Sequence, residues 1–196
     1  AVRVADARHV GELAVGEDHR VAVRGEPGPR DRDRVRVPVD AEQTATILAA
    51  RSRMNQVLFD YGTTPENFSL IHADLLPQNV LVSKGQPFVI DFDDAGFGWH
   101  LYDMSVALVN FVYREDYHVF RDALISGYRS ERHIGDEDLA LLPMFLVIRH
   151  LVQIAWVHTR VPKALSMGDG RSISRADLLV PRIEWAVKEC KHLLDQ

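Results

Sequence analysis

The sequence predicts a mainly α-helical chain of the α+β class with one small β-hairpin. Three features predict it. Helical apolar patterning runs through almost everything after residue 100, two short apolar runs flank a turn near Lys84, and composition changes sharply near residue 40.

Residues 1–40 hold eight Arg, eight acidic residues and no aromatic side chain; the first aromatic is Phe59. Such a segment buries little apolar surface for each residue it orders, so it reads as a degenerate remnant or linker before a lobe at 41–196. The alternations at 20–24 and 34–37 suit edge strands, and 26–31, with Pro27, Gly28 and Pro29, reads as loop. Asp40 followed by Gln43 predicts a capped helix start. Ile47, Met54, Val57, Leu58 and Tyr61 then share one helical face, and Gly62 closes it. Runs at 69–71, 80–82 and 88–90 predict strands, the last two joined by Ser83-Lys84-Gly85-Gln86. Helices follow at about 101–113, 116–128, 137–159 and 175–194, with loops at 129–135 and 160–174. Pro143 and Pro181 threaten interior turns of the last two helices.

Composition excludes some classes of function. A net charge of -5 argues against a phosphate-tracking surface, so no nucleic acid is expected. One cysteine, Cys190, permits no internal disulfide and suits a reducing cytoplasm. No apolar signal segment opens the chain. The apolar stretch 139–157 is long enough for a membrane span, but Arg149, His150 and Gln153 sit near its middle, and a core helix with one polar edge fits better.

The chemistry concentrates in residues 70–103. His72-Ala73-Asp74-Leu75-Leu76-Pro77-Gln78-Asn79 fits H-x-D-x-x-x-x-N, and Asp91 follows twelve residues after Asn79. The hairpin between them can carry Asp91 back beside Asn79. Phosphoryl transfer asks for such a set: a carboxylate that orients an acceptor hydroxyl and takes its proton, and hard oxygen ligands for magnesium. The motif alone would arise by chance in about one chain per hundred of this length; the strand–loop–hairpin–Asp setting raises its weight.

These residues resemble the aminoglycoside phosphotransferase and choline kinase superfamily. Residues 70–82 are similar to its catalytic loop, 89–96 to its metal-binding strand end, and 102–107 to the helix start that follows; Phe145-Leu146-Val147-Ile148-Arg149-His150 also resembles the family, less specifically. The resemblance covers about residues 41–194 and implies the large C-terminal lobe of a protein-kinase-like fold. It also implies a magnesium- and ATP- (or GTP-) dependent transfer to a hydroxyl of a small molecule. Asp74 would then be the catalytic base, with His72 beside it as a further catalytic candidate or, more in keeping with the family, a support for the loop. Asn79 and Asp91 would bind magnesium and nucleotide, Asp93 would hold a second metal or orient Asp91, and Asp103 would brace the loop through backbone N–H groups.

Departures narrow the resemblance. Ala73 stands where protein kinases carry Arg, Asp91-Phe92-Asp93 replaces D-F-G, and no A-P-E follows, which favours a small-molecule acceptor. Residues 1–83 contain no lysine to anchor phosphates. The nucleotide-gripping lobe is therefore expected to be absent or degenerate, and the chain alone inactive. A binding lobe without turnover and a non-functional truncation product stay open as alternatives. Self-association through a strand face left uncovered near Phe88 and Ile90 is also expected. The acidic group Asp93, Asp94, Glu115 and Asp116 reads as solvated surface, and Trp99, Trp156 and Trp185 as core or cover packing.

Overall fold

The computed structural model describes residues 39–161 and 172–196 in full, and only the backbone of 13–16, 20–23 and 164–166. The readings at 26–31 and 34–37, and most of the 1–40 segment, lie outside the described residues. Two compact units divide the chain: Gly62–Arg149 make up most of one, Ala41–Tyr61 and His150–Gln196 most of the other. Strand β1 (Leu13–Gly16) pairs antiparallel with β2 (Arg20–Val23), the first alternation read as an edge strand.

In the second unit, α1 (Ala41–Tyr61) begins at a reciprocal cap. Gln43 N–H donates to Asp40 Oδ1 at 2.7 Å, and Asp40 N–H donates to Gln43 Oε1 at 3.1 Å. Thr44, Ile47, Ala50 and Met54 are buried along one stripe, with Val57, Leu58 and Tyr61 half-buried on its continuation. Helix α1 packs on α6 (Arg175–Leu194), which buries Leu179, Ile183, Ala186, Val187 and Cys190 at helical spacing. Ser174 caps α6 by accepting the Asp177 N–H, and the helix runs through Pro181. Just before α6 in the chain, the segment read as a loop at 160–174 contains a ladder instead: β7 (Ala164–Ser166) pairs with β8 (Ser172–Ser174).

The Gly62–Arg149 unit opens at Gly62, whose φ of 64 suits the glycine expected at a helix end. Strand β3 (Phe68–Ile71) pairs antiparallel with β6 (Gly96–Trp99), a strand that glycine-rich Gly96-Phe97-Gly98-Trp99 did not advertise. Gly98 is fixed by contact: a Cβ there would run into the Ile71 side chain. Strands β4 (Val80–Ser83) and β5 (Gln86–Val89) form the expected hairpin. Lys84 and Gly85 turn it with φ of 50 and 76, the doubly left-handed geometry that matches strand twist.

Helix α2 (His100–Leu108) starts directly after β6 and buries Leu101, Met104, Val106 and Leu108. It stops short of the expected residue 113, because three-residue turns take over through Phe111 and Arg114. Helix α3 (Tyr117–Glu131) follows. The expected helix at 137–159 is split into α4 (Asp136–Leu139) and α5 (Leu142–Arg160), with Pro143 in the first turn of α5, where a missing N–H costs nothing. The stretch Asp136–Arg160 has the length and apolarity of a membrane span, yet 61% of its most apolar window is buried within the protein.

Candidate active site

The loop after β3 is held in an unusual conformation by one carboxylate. Asp103, in the first turn of α2, accepts the His72 N–H at Oδ2 and the Ala73 N–H at Oδ1, both at 2.7 Å. Ala73 takes φ of 64, a left-handed conformation that costs an L-residue on the order of 1 kcal/mol and needs such anchoring. Burial pushes the Asp103 carboxyl above its ordinary value, against the two N–H bonds that pull it down.

His72 is buried and spans the loop. Its Nε2 lies 2.9 Å from the Ile90 carbonyl, and its Nδ1 lies 3.3 Å from the Asp74 N–H. The carbonyl can only accept and the amide can only donate, so the ring carries its proton on Nε2. Phe92 packs against the ring at 4.6 Å between centroids. His72 thus ties the loop to the strand end that bears Asp91, and both ring nitrogens are engaged in doing so.

Asp74 is half-buried beyond this brace. Its carbonyl accepts the Leu76 N–H at 2.7 Å and the Asn79 Nδ2 at 2.8 Å. The same Nδ2 lies 3.2 Å from Asp74 Oδ2, which turns the amide oxygen of Asn79 away from Asp74. Asn79 is buried at the end of a 3-10 turn, Pro77–Asn79. The hairpin register Val80↔Val89, extended by the Ile90 N–H to the Asn79 carbonyl at 2.9 Å, returns the chain to Asn79 one residue before Asp91. Asp91 is exposed with φ of 67, so its carboxylate leaves the strand end in a direction that a regular strand would not allow.

Asp93 lies in the following turn, exposed and with no side-chain hydrogen bond or ion pair among the described residues. Among the described residues no three His, Cys, Asp or Glu side chains gather as a metal cage. Asp116 is taken up by Arg114, at 2.7 and 2.9 Å. Trp99 donates its Nε1–H to the Gly62 carbonyl at 2.8 Å and meets Phe68 edge-on, a packing role as expected. Trp185 stacks on His150 at 3.9 Å, and Trp156 remains half exposed beneath the Arg160 guanidinium.

One residue at this centre, within a segment that resembles the family, was given no site role from the sequence. Arg149, on α5, donates from Nη2 to Asp74 Oδ1 at 2.7 Å, and its Nη1 lies 3.5 Å from the Tyr102 hydroxyl. The available signal was a lone Arg inside an apolar helix, which reads equally well as a polar edge.

Residues 12–142, more than half of the chain, match the family described as Phosphotransferase enzyme family. The chain belongs to that family. Among relatives of this phosphotransferase-family chain, the amicoumacin kinase of Bacillus subtilis (strain 168) is 28% identical over 134 residues, which cover 64% of the chain and 40% of that protein. In three dimensions the chain is similar to a microcompartment-associated aminopropanol kinase, with a TM-score of 0.63 and 30% identity over 81% of this chain and 46% of that one. It shares the fold of an amicoumacin kinase, hAmiN, solved with AMP-PNP, Ca2+ and Ami, at a TM-score of 0.61 and 24% identity over 77% and 46% of the two chains. The chain therefore spans less than half the length of each of these relatives. The mainly helical, kinase-like fold expected from the sequence is the fold found.

Proposed function

We propose that the chain carries the catalytic lobe of a cytoplasmic small-molecule kinase that moves the γ-phosphoryl group of ATP or GTP onto a hydroxyl. One observation carries the reading: the Asp74 carboxylate faces the Asn79 amide while the hairpin brings Asp91 back to Asn79. In this reading Asp74 orients the acceptor hydroxyl and takes its proton. The hydroxyl oxygen forms its bond to the γ-phosphorus as the bond to the β–γ bridging oxygen breaks, and the nucleoside diphosphate leaves. His72 and Asp103 hold the loop that presents Asp74.

The donor set suits magnesium. It offers hard oxygens only, one amide and one exposed carboxylate, and leaves room for the waters this ion retains. Asn79 and Asp91 would hold the ion, with Asp93 as an outer carboxylate. When bound it supplies charge neutralisation on the nucleotide phosphates. Relatives whose names state an acceptor include amicoumacin, aminopropanol and homoserine kinases, which supports a small hydroxyl-bearing molecule as substrate. The exposed apolar side chains of the hairpin and its neighbours, Leu81, Phe88 and Ile90 among them, are assigned to the half that grips the nucleotide.

The test is a transfer assay of the gene product that carries this chain, with γ-radiolabelled ATP, magnesium and a panel of amino alcohols, hydroxy amino acids, aminoglycosides and sugars. Label appearing in an acceptor and lost in Asp74→Ala supports the reading; no labelled acceptor opposes it. A second reading, a binding lobe without turnover, is favoured by the absence of lysine from residues 1–83. Calorimetry with magnesium and ATP beside the transfer assay separates the two: binding without transfer selects the second.

A further inference from the structure

Arg149 has no part in the reaction as written above, and its surroundings ask for one. Its side chain is 11% exposed, on a helix whose Leu146, Val147, Ile148 and Leu151 are buried. Desolvating a guanidinium is expensive, and buried ion pairs are commonly replaced by apolar side chains without loss of stability. The Nε of Arg149 is buried with no hydrogen-bond partner among the described residues, so the environment does not satisfy it as a structural anchor would. Stability is therefore a poor reason for an arginine here.

The geometry does accomplish one thing: it fixes a carboxylate. Arg149 Nη2 holds Asp74 Oδ1 at 2.7 Å, the length of a charge-assisted bond, while Asn79 Nδ2 holds Oδ2 at 3.2 Å, near the limit of a useful one. The Tyr102 hydroxyl lies against the far side of the guanidinium at 3.5 Å. The two oxygens of Asp74 are thereby made unequal.

Resting on the kinase reading, we propose that Arg149 is a positioning residue for phosphoryl transfer. It takes Oδ1 of Asp74 and leaves Oδ2, the loosely held oxygen, to receive the acceptor's proton. The proton passes from the acceptor hydroxyl to Oδ2 as the new oxygen–phosphorus bond forms; Arg149 exchanges no proton. Its contribution is to confine the carboxylate to the one rotamer that presents Oδ2, which spares the reaction a search through others.

The test compares Arg149→Ala, Arg149→Lys and Asp74→Asn in the gene product that carries this chain. Arg149→Ala should lose about 100-fold in kcat, the scale of an ångström-sized misplacement, with KM for ATP unmoved. Arg149→Lys should fall between. Added guanidinium ion should restore part of the Arg149→Ala loss and none of the Asp74→Asn loss. Wild-type turnover in Asp74→Asn sinks the kinase reading itself. An inactive Asp74→Asn beside an Arg149→Ala with unchanged kcat overturns only the positioning role. A second readout needs no turnover: three-bond couplings of the Asp74 side chain by nuclear magnetic resonance. They should report one rotamer in the wild type and averaging in Arg149→Ala, with an unchanged far-ultraviolet circular dichroism spectrum. One retained rotamer overturns the proposal. Arg149→Lys serves both readouts if the alanine variant does not fold.

Discussion

Replacing Asp103 by Ala removes the acceptor for two backbone N–H groups at once. His72 is buried, so its amide loses its partner with no water at hand; the Ala73 amide is half-buried and partly rehydrated. An orphaned buried donor costs about 1–3 kcal/mol, so the two together should cost about 2–4 kcal/mol after that rehydration. Asn is isosteric with the protonated carboxyl, keeps one acceptor, and should cost less than Ala. Equilibrium urea unfolding followed by far-ultraviolet circular dichroism measures both. The carboxyl also sets a pH dependence. Burial raises it above its ordinary value of 3.8, so the folded state binds the proton more tightly than the unfolded state. Unfolding then releases protons between the ordinary and the raised value, and the stability owed to Asp103 falls as pH rises through that window and levels off above it. The gap between wild type and Asp103→Asn should narrow accordingly. An Asp103→Ala as stable as wild type, or a gap that widens as pH rises through the window, would refute the reasoning.

Further outcomes follow from single contacts. Gly98→Ala should lower stability by about 1–3 kcal/mol, because the new methyl meets the buried Ile71 side chain across the β3–β6 ladder; an unchanged thermal midpoint would contradict this. Burial, with Glu189 adding to it, pushes the Cys190 thiol up to about 12, so native protein should resist iodoacetamide and react only on unfolding. Fast labelling of folded protein would speak against it. Because residues 1–83 hold no lysine, the 196 residues assayed alone should transfer phosphoryl groups far more slowly than a version joined to a lysine-bearing nucleotide lobe. Robust turnover of the chain alone would mean that other groups rebuild the nucleotide site.

What could be read from the sequence was local. The Asp40–Gln43 cap, the Lys84-Gly85 turn and the start of α6 each depend on neighbours within four residues, and each stands where its pattern put it. The spacing of Asn79 and Asp91 was legible because a tight hairpin joins them and its register follows from the turn. Strand β6 was not legible, since Gly96 and Gly98 break the apolar alternation and the strand forms only because β3 and the Ile71 side chain accept it. Arg149 was not legible either: it stands 75 residues from Asp74, and no spacing rule reaches that far. The break between α4 and α5 had a visible cause in Pro143, but α-helical patterning on both sides hid its consequence.

The claim on which the rest depends is that Asp74 takes the acceptor's proton during phosphoryl transfer. It is tested most directly by the kcat of Asp74→Asn, measured with saturating magnesium–ATP and an acceptor found in the panel, in the gene product that carries this chain. General-base removal predicts a loss of about 100- to 10,000-fold with the fold intact by circular dichroism. An Asp74→Asn enzyme that is folded and turns over at the wild-type rate would contradict the account.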